Sequence, residues 1–148
     1  MTTPTISLMD AYMMETLFSK GIQKEDFLHT MKERKLDKYM YFDDSFDYSE
    51  LNSSVKDKED LFEDAIKKNQ YTISYLTIGG LKNLLNIKYG FVEEKDYILY
   101  DQKLENLTVD HKQLKEIKAL VKSAWRVIES GKKSDDSMTI SISHVSIL

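Results

Sequence analysis

The stretch LFEDAIKKNQYTISYLTIGGLKNLL, residues 61–85, decides the predicted fold of this chain. It predicts a short helix, a polar break at Asn69-Gln70, and a second helix that continues to about Tyr89. Apolar residues and one glycine recur in the second helix at steps of three or four, which is helical spacing: Ile73, Leu76, Gly80, Leu84 and Ile87.

A glycine pair, Gly79-Gly80, lies inside this second helix. Each glycine in a helix interior costs on the order of 1 kcal/mol relative to alanine, so a compensating contact is expected. Two positions without a side chain allow a partner helix or a ligand to approach the backbone closely. The pair therefore predicts a packed helical domain that forms a cavity, and it indicates no particular reaction.

The composition is that of an acidic, globular chain. Its 148 residues suffice for one domain with a substantial core. The formal net charge of -4 argues against nucleic acid as a partner, because phosphate binding needs a basic face. Cysteine is absent, which excludes disulfides and favours a cytoplasmic location. The N-terminus lacks the basic region of a signal peptide, and no apolar run approaches the roughly 20 residues of a membrane span.

The remaining periodicity predicts further helices on both sides of this segment. Ser7 resembles the start of a capping box, and Gly21 and Gly90 are expected helix stops. Residues 43–57 are acidic and serine-rich and predict a loop, whereas YILY at 97–100 fits either a short strand or a buried helical turn. The predicted helices cover about residues 8–20, 24–40, 58–68, 71–89 and 108–129.

The C-terminal end differs in character from the rest of the chain. Residues 132–137 predict a flexible joint, and residues 139–148 alternate β-branched residues with serines, which predicts a strand that pairs within or between chains. The expected organisation is therefore a helical domain over residues 1–131 and a flexible or strand-like tail over residues 132–148.

Sequence motifs of known chemistry are absent or incomplete. Residues 43–49 place Asp and Ser at positions 1, 3, 5 and 7 of a calcium-loop template, but Tyr48 and Ser54 replace its required glycine and glutamate. The three histidines, His29, His111 and His144, lack metal-ligand spacing, and no nucleophile motif or phosphate loop occurs. The chain is therefore expected to bind or sense and not to be an enzyme.

Four side chains on the two longest predicted helices combine an apolar body with a polar head: Tyr71, Tyr75, Trp125 and Arg126. If these helices pack together, the four side chains line a pocket with a few polar anchors. An arginine in such a pocket holds a carboxylate or an inorganic anion. The alternative interpretation is a surface arginine with aromatic residues at the core boundary.

The stretch AIKKNQYTISYLTIGGLKNLL, residues 65–85, resembles the non-haem sensor-globin domains at the N-terminus of stressosome co-antagonists. Its Ile73-Ser74-Tyr75-Leu76 is the counterpart of their aliphatic–Ser–x–aromatic–Leu helix. Over about residues 1–130 the chain is also similar to the small stand-alone sensor domains of the anthrax virulence plasmids, which inhibit sporulation.

This resemblance implies an all-α, globin-like fold without haem and a homodimer formed through the last two long helices. It implies a fatty acid in an apolar tunnel and a halide ion, with chloride as the candidate, in a polar chamber. The implied role is inhibition of sporulation by competition for the signal of a sensor histidine kinase. The helix expected to carry a haem ligand, at residues 58–68, holds no His, Met or Cys, so haem is not expected.

Helical facing and the resemblance together assign a ligand site. Its expected apolar wall comprises Met13, Leu17, Phe27, Leu28, Met31, Leu76, Gly80, Leu81, Leu120, Val121 and Ala124. Its expected polar end comprises Tyr71, Tyr75 and Arg126. Two alternatives remain open at this point: a ligand-free helical interaction module, and a phage-type DNA-binding regulator with a helix-turn-helix in residues 56–85.

Overall fold

The computed structural model describes residues 3–145 and combines helices with two β-sheets. Helices account for 48% and strands for 23%, so the predicted all-α, globin-like fold is wrong. None of the helices in this described part is long and apolar enough to cross a bilayer. The elements are, in order, β1 (Thr5–Ile6), α1 (Leu8–Ser19), α2 (Lys24–Lys32), a 3-10 helix (Leu36–Tyr41), α3 (Ser49–Val55), α4 (Glu59–Lys68), β2 (Thr72–Ile73), α5 (Ile78–Tyr89), β3 (Ile98–Tyr100), β4 (Lys103–Asp110), α6 (His111–Val121), β5 (Trp125–Lys132) and β6 (Ser137–His144).

The helices α1 and α5 pack against each other where the glycine pair lies. A Cβ atom on Gly80 would come within 2.7 Å of Leu8 Cδ2, whereas one on Gly79 would meet nothing within 4 Å. The close approach expected from the pair therefore occurs at Gly80 alone. The predicted cap Ser7 begins α1, and Thr77, which lies inside the helix predicted over residues 71–89, caps α5.

The first part of the predicted helix over residues 71–89 is not helical. Thr72–Ile73 forms β2, which pairs in parallel with β1, and α5 begins only at Ile78. Tyr71, Thr72 and Ile73 are all buried in succession, which an extended segment between two layers achieves and an amphipathic helix does not. Residues 69–77 connect α4 to α5, and this connection is much longer than the turn of about 3–4 residues in a helix-turn-helix. The two helices therefore do not form that motif. Gly90, at φ 76°, ends α5 as predicted.

The predicted last helix over residues 108–129 is wrong at both ends. Thr108 lies in β4, and Asp110 caps α6 with a full capping box. Beyond α6, apolar residues continue at steps of three or four as far as Ile128, but the Ile128 side chain is 40% exposed. Trp125 is buried instead, and its indole N–H donates to the carbonyl of Leu76 at 2.9 Å. This tertiary contact fixes Trp125 at the start of β5.

The four-stranded antiparallel sheet has the order β3-β4-β6-β5. The strand β6 lies between β4 and β5, so the strand predicted for the tail pairs within the chain. Its last predicted residues, 146–148, lie outside the described residues, as do residues 1–2. Of the two alternatives for YILY, the strand is confirmed, as β3. The sheet buries Leu104, Leu107, Val109, Ile140 and Ile142, and α6 contacts β4 and β5.

The predicted helix over residues 24–40 is interrupted. It ends at Lys32, and Arg34 then adopts a left-handed φ of 60°, which reverses the chain. The 3-10 helix that follows returns beside α2, where the Tyr39 hydroxyl donates to Thr30 Oγ1 at 3.2 Å. The segment over 43–57 is not a plain loop, because it contains α3, whose Asn52 accepts from the first N–H of the 3-10 helix.

Candidate functional site

The expected apolar wall of the ligand site lies in the hydrophobic core. Most of its residues belong to one contiguous cluster of buried side chains, with Ala124 at the edge of that cluster. None of them lines either of the two cavities described below. The buried members are Met13, Leu17, Phe27, Leu28, Met31, Leu76, Gly80, Leu81, Leu120 and Val121.

The three residues of the expected polar end are not brought together. Tyr75 is 87% exposed in the loop before α5, and Arg126 is exposed on the edge strand β5. Tyr71 is buried, and its hydroxyl donates to Glu15. Only Tyr71 therefore belongs to a polar centre, and its partners there were not among the predicted residues.

This centre, here called the charge cluster, joins α1, α5 and α6 with the segment before β2. Lys88 Nζ donates to Glu15 Oε2 at 2.7 Å and to Asn69 Oδ1 at 3.4 Å. Asn69 in turn donates to Glu116, which also accepts the Tyr89 hydroxyl at 2.6 Å. The cluster thus comprises Glu15, Asn69, Tyr71, Lys88, Tyr89 and Glu116.

Burial gives the charge cluster unusual electrostatics. The side chains of Lys88 and Glu15 are only 5% and 8% exposed, and the Lys88 ammonium lies over the rings of Tyr71 and Tyr89. Burial, together with Glu15, raises the pKa of Tyr71 far above its ordinary value. Burial and the hydrogen bond to Glu116 likewise raise the pKa of Tyr89. Both hydroxyls therefore remain protonated donors at any physiological pH.

A cleft of about 300 Å³ opens onto the charge cluster. The burial of Lys24 at its mouth lowers the pKa of that ammonium group, while Glu15 acts in the opposite direction. Buried charges and a displaced lysine pKa beside a cleft are a combination typical of functional sites. The cleft is lined by Glu15, Phe18, Lys24, Asn69, Lys88, Tyr89, Asp110, Lys112, Gln113 and Glu116.

A second cavity, here called the apolar groove, lies between α2 and the 3-10 helix and has a volume of about 520 Å³. Its wall includes Tyr41, which is 96% exposed, and Phe42, which is 49% exposed. The neighbouring Met40 is also exposed, at 44%. Large apolar side chains in solvent are informative when they adjoin a concave surface. The groove is lined by Ile22, Asp26, His29, Thr30, Lys38, Tyr39, Tyr41 and Phe42.

Asp43 fixes the end of the 3-10 helix and so positions the wall of the apolar groove. Its carboxylate, only 6% exposed, accepts from Lys20 Nζ at 2.5 Å, from Ser45 Oγ at 3.0 Å and from the Tyr48 hydroxyl. Burial alone would raise the pKa of Asp43, but these donors outweigh it and lower the pKa to about 2. This carboxylate, the first residue of the imagined calcium loop, is thus engaged by the protein itself.

Sequence signals for both cavities were present but weak. Glu15 follows Ala11 by four residues, and Glu116 precedes Leu120 by four, so each acid stands on the buried face of its helix. An acid at a core position indicates a buried partner, although it does not identify one. For the groove, the signal was the unbroken apolar run Met40-Tyr41-Phe42, which no helical period explains.

Within residues 3–145, no group of three or more His, Cys, Asp or Glu side chains is arranged to hold a metal ion. No protein-family model, no curated protein and no solved structure matches this chain.

Proposed function

We propose that this chain is a non-catalytic binding protein whose apolar groove takes an amphiphilic carboxylate such as a fatty acid. The observation that carries the proposal is the groove itself, with exposed Tyr41 and Phe42 on its wall and two basic side chains, His29 and Lys38, in the same lining. Ligand pockets commonly combine such an apolar wall with a few polar groups that fix orientation.

The apolar wall supplies the affinity in this proposal. Tyr41 is almost fully solvated in the free protein and Phe42 is about half solvated, so a hydrocarbon chain that covers them removes apolar surface from water. Full burial of an exposed apolar side chain contributes roughly 1.5–3 kcal/mol, and covering the half-exposed Phe42 contributes about half of that. Tyr39 gives the groove a firm floor, because it stacks on the buried Phe27 ring at 6.2 Å and bonds to Thr30.

The basic groups give the ligand its direction. Lys38 Nζ lies 5.6 Å from the centre of the Tyr39 ring, and none of the described carboxylates lies within ion-pair distance of it. A ligand carboxylate beside Lys38 gains a charge-assisted hydrogen bond. Asp26 lines the groove as well and repels an anion, and the His29 ring nitrogen Nε2 already lies 3.4 Å from Glu33 Oε1, so the carboxylate end is expected at Lys38.

The regulatory role implied by the similarity of about residues 1–130 to the stand-alone sensor domains stays part of the proposal. A protein that sequesters a fatty acid lowers the amount available to the sensor domain of a histidine kinase and so inhibits sporulation. If the homodimer has two arrangements and the ligand binds one of them more tightly, ligand binding shifts the population toward that arrangement. The size of this population shift is limited by the difference in ligand affinity between the two arrangements. A bound chloride ion is a further expectation of the same resemblance, and the absence of cysteine favours a cytoplasmic location.

The direct test is calorimetric titration of the purified protein with dodecanoate below its micelle concentration, with dodecanol as the uncharged comparison. We expect dodecanoate to bind at one site per chain and dodecanol to bind at least about 10-fold more weakly. Phe42→Ala should weaken binding by about 10-fold, and Lys38→Met should remove the preference for the carboxylate. Met40→Ala, in the same exposed run but outside the groove lining, is the matched control. Unchanged binding by Phe42→Ala would refute this placement.

A second candidate is a ligand-free interaction module that docks a partner protein through the same exposed run. The observation that favours it is the contiguous exposure of Met40, Tyr41 and Phe42, since clustered apolar side chains in solvent mark contact surfaces. Native mass spectrometry followed by lipid extraction separates the two. A co-purified fatty acid at one per chain supports the ligand-binding protein, whereas a ligand-free protein that also fails to bind dodecanoate supports the module.

A further inference from the structure

We propose that the cleft over the charge cluster binds a small zwitterion of the α-amino-acid type, with its ammonium group on Glu15 and its carboxylate at the rim. The cleft shares no lining residue with the apolar groove, so this proposal and the preceding one succeed or fail separately. Three features support it: a free carboxylate oxygen, the separation of charge between floor and rim, and the size of the cleft.

The free oxygen belongs to Glu15. The hydroxyl of Tyr71 and the ammonium of Lys88 both donate to Oε2, and among the described residues none donates to Oε1. In the described part of the chain, no fully buried side-chain oxygen lacks a hydrogen-bond partner. Oε1 must therefore be accessible, although Glu15 as a whole is only 7% exposed. A buried carboxylate with one open oxygen is a strong acceptor for an ammonium group.

Charge is distributed unevenly between the floor and the rim of the cleft. The floor contains two buried carboxylates, Glu15 and Glu116, and one buried ammonium, Lys88, so its formal charge is negative. The rim contains two more accessible lysines, Lys24 and Lys112, and one carboxylate, so its formal charge is positive. A ligand that is positive at its leading end and negative at its trailing end complements this arrangement.

The rim carboxylate, Asp110, is already engaged. Its Oδ1 accepts the backbone N–H of Gln113 at 2.7 Å as the cap of α6, and the Gln113 side chain accepts the N–H of Asp110 in return. Lys112, by contrast, has no carboxylate within ion-pair distance among the described residues. The rim therefore presents a cation that is available to a ligand carboxylate.

The dimensions of the cleft restrict the class of ligand. A volume of about 300 Å³ lies at the small end of the range for ligand pockets, which fits a ligand of amino-acid size. Phe18 contributes an apolar wall, with the Lys24 ammonium 6.0 Å from its ring centre. The side chain of the amino acid is expected against this wall, while the two charged ends occupy the floor and the rim.

The test is a thermal-shift screen of the full chain with each of the twenty common amino acids at about 10 mM, followed by calorimetry of the strongest. A dissociation constant of about 1 mM would raise Tm by about 3–6 °C under these conditions. The N-acetyl and methyl-ester forms of the same amino acid should each bind at least about 10-fold more weakly, because each lacks one charged end. A screen without any shift, or equal binding of the blocked forms, would overturn the proposal.

Two variants locate the contacts. Glu15→Gln should raise the dissociation constant by at least about 10-fold and reduce the penalty of the N-acetyl group. Because Glu15 is buried and this variant risks misfolding, Lys112→Met on the exposed rim provides the second test and should reduce the penalty of the methyl ester. Lys115→Met, exposed on the same helix but outside the cleft lining, is the matched control. Binding by Lys112→Met with the wild-type affinity and ester penalty would contradict the rim contact.

Discussion

Replacing Asp43 with asparagine should lower the free energy of unfolding at neutral pH and leave it almost unchanged near pH 2. The carboxyl has a pKa of about 2 in the folded protein and an ordinary value of 3.8. A group whose pKa is lowered by folding stabilises the protein above its unfolded pKa, and this contribution disappears as the pH falls through the folded pKa. The difference between wild type and variant should therefore vanish between about pH 4 and pH 2.

The size of the effect follows from the same two values. A fall in pKa from 3.8 to about 2 corresponds to about 2.4 kcal/mol at neutral pH. The Lys20 side chain is 47% exposed, so solvent screening reduces the expected loss to about 1–2 kcal/mol. About half of that loss should already be absent at about pH 3.

The assay is urea unfolding of wild type and Asp43→Asn at a series of pH values from 7 to about 2.5. Asp44→Asn is the control, because that neighbouring side chain is exposed and should change the free energy of unfolding by no more than about 0.5 kcal/mol. A difference between wild type and Asp43→Asn that stays constant down to about pH 2.5 would show that the carboxylate is not held as its contacts indicate.

Three further predictions concern the packing of α5 and its neighbours. Gly79→Ala should raise the free energy of unfolding by about 0.5–1 kcal/mol, because an added Cβ meets open space. Gly80→Ala should raise it less or lower it, because its Cβ displaces the Leu8 side chain. Urea unfolding measures both variants. Lys88→Met should cost about 3–5 kcal/mol in the same assay by leaving Glu15 buried without its cation, and the double variant with Glu15→Gln should recover at least about 1 kcal/mol. Trp125→Phe should lower the free energy of unfolding, measured by thermal unfolding, by about 1–3 kcal/mol, because the buried Leu76 carbonyl loses the indole N–H that donates to it.

A control or a contradicting outcome accompanies each of these predictions. Tyr75→Phe, at an exposed aromatic, should change stability by no more than about 0.5 kcal/mol and is the comparison for Trp125→Phe. Equal gains from alanine at Gly79 and at Gly80 would contradict the close approach of Leu8. A double variant that is no more stable than Lys88→Met would show that the two charges are not coupled.

Local features of the fold were predictable because their causes are local. The N-cap at Ser7 and the left-handed stop at Gly90 each depend on a few neighbouring atoms, and α4 lies within a residue of its predicted bounds. The strand β5 was not predictable in this way. Its apolar residues satisfy both a helical and a strand spacing, and the choice depends on Trp125, whose hydrogen-bond partner lies in the distant loop before α5.

The candidate sites likewise separate into features that local sequence predicts and features that depend on distant residues. Of the residues expected at the polar end, Tyr71 does belong to a polar centre, but Tyr75 and Arg126 were placed there on the assumption of two long packed helices. The charge cluster escaped prediction because Glu15 and Glu116 lie about a hundred residues apart in sequence. Charged side chains at such separation indicate a contact only after the backbone has brought their helices together.

The sequence by itself determined an acidic, cysteine-free chain, the helix start at Ser7, the helix stop at Gly90, and a close approach at Gly80 of the glycine pair. These properties follow from composition and from interactions within a few residues. Only the tertiary structure decided that the last third forms a sheet around β6, that the expected tunnel residues pack as core, and that the charge cluster and the apolar groove exist. The physical reason is that strand pairing and buried ion pairs join distant residues, and their free energy depends on contacts that local sequence does not specify.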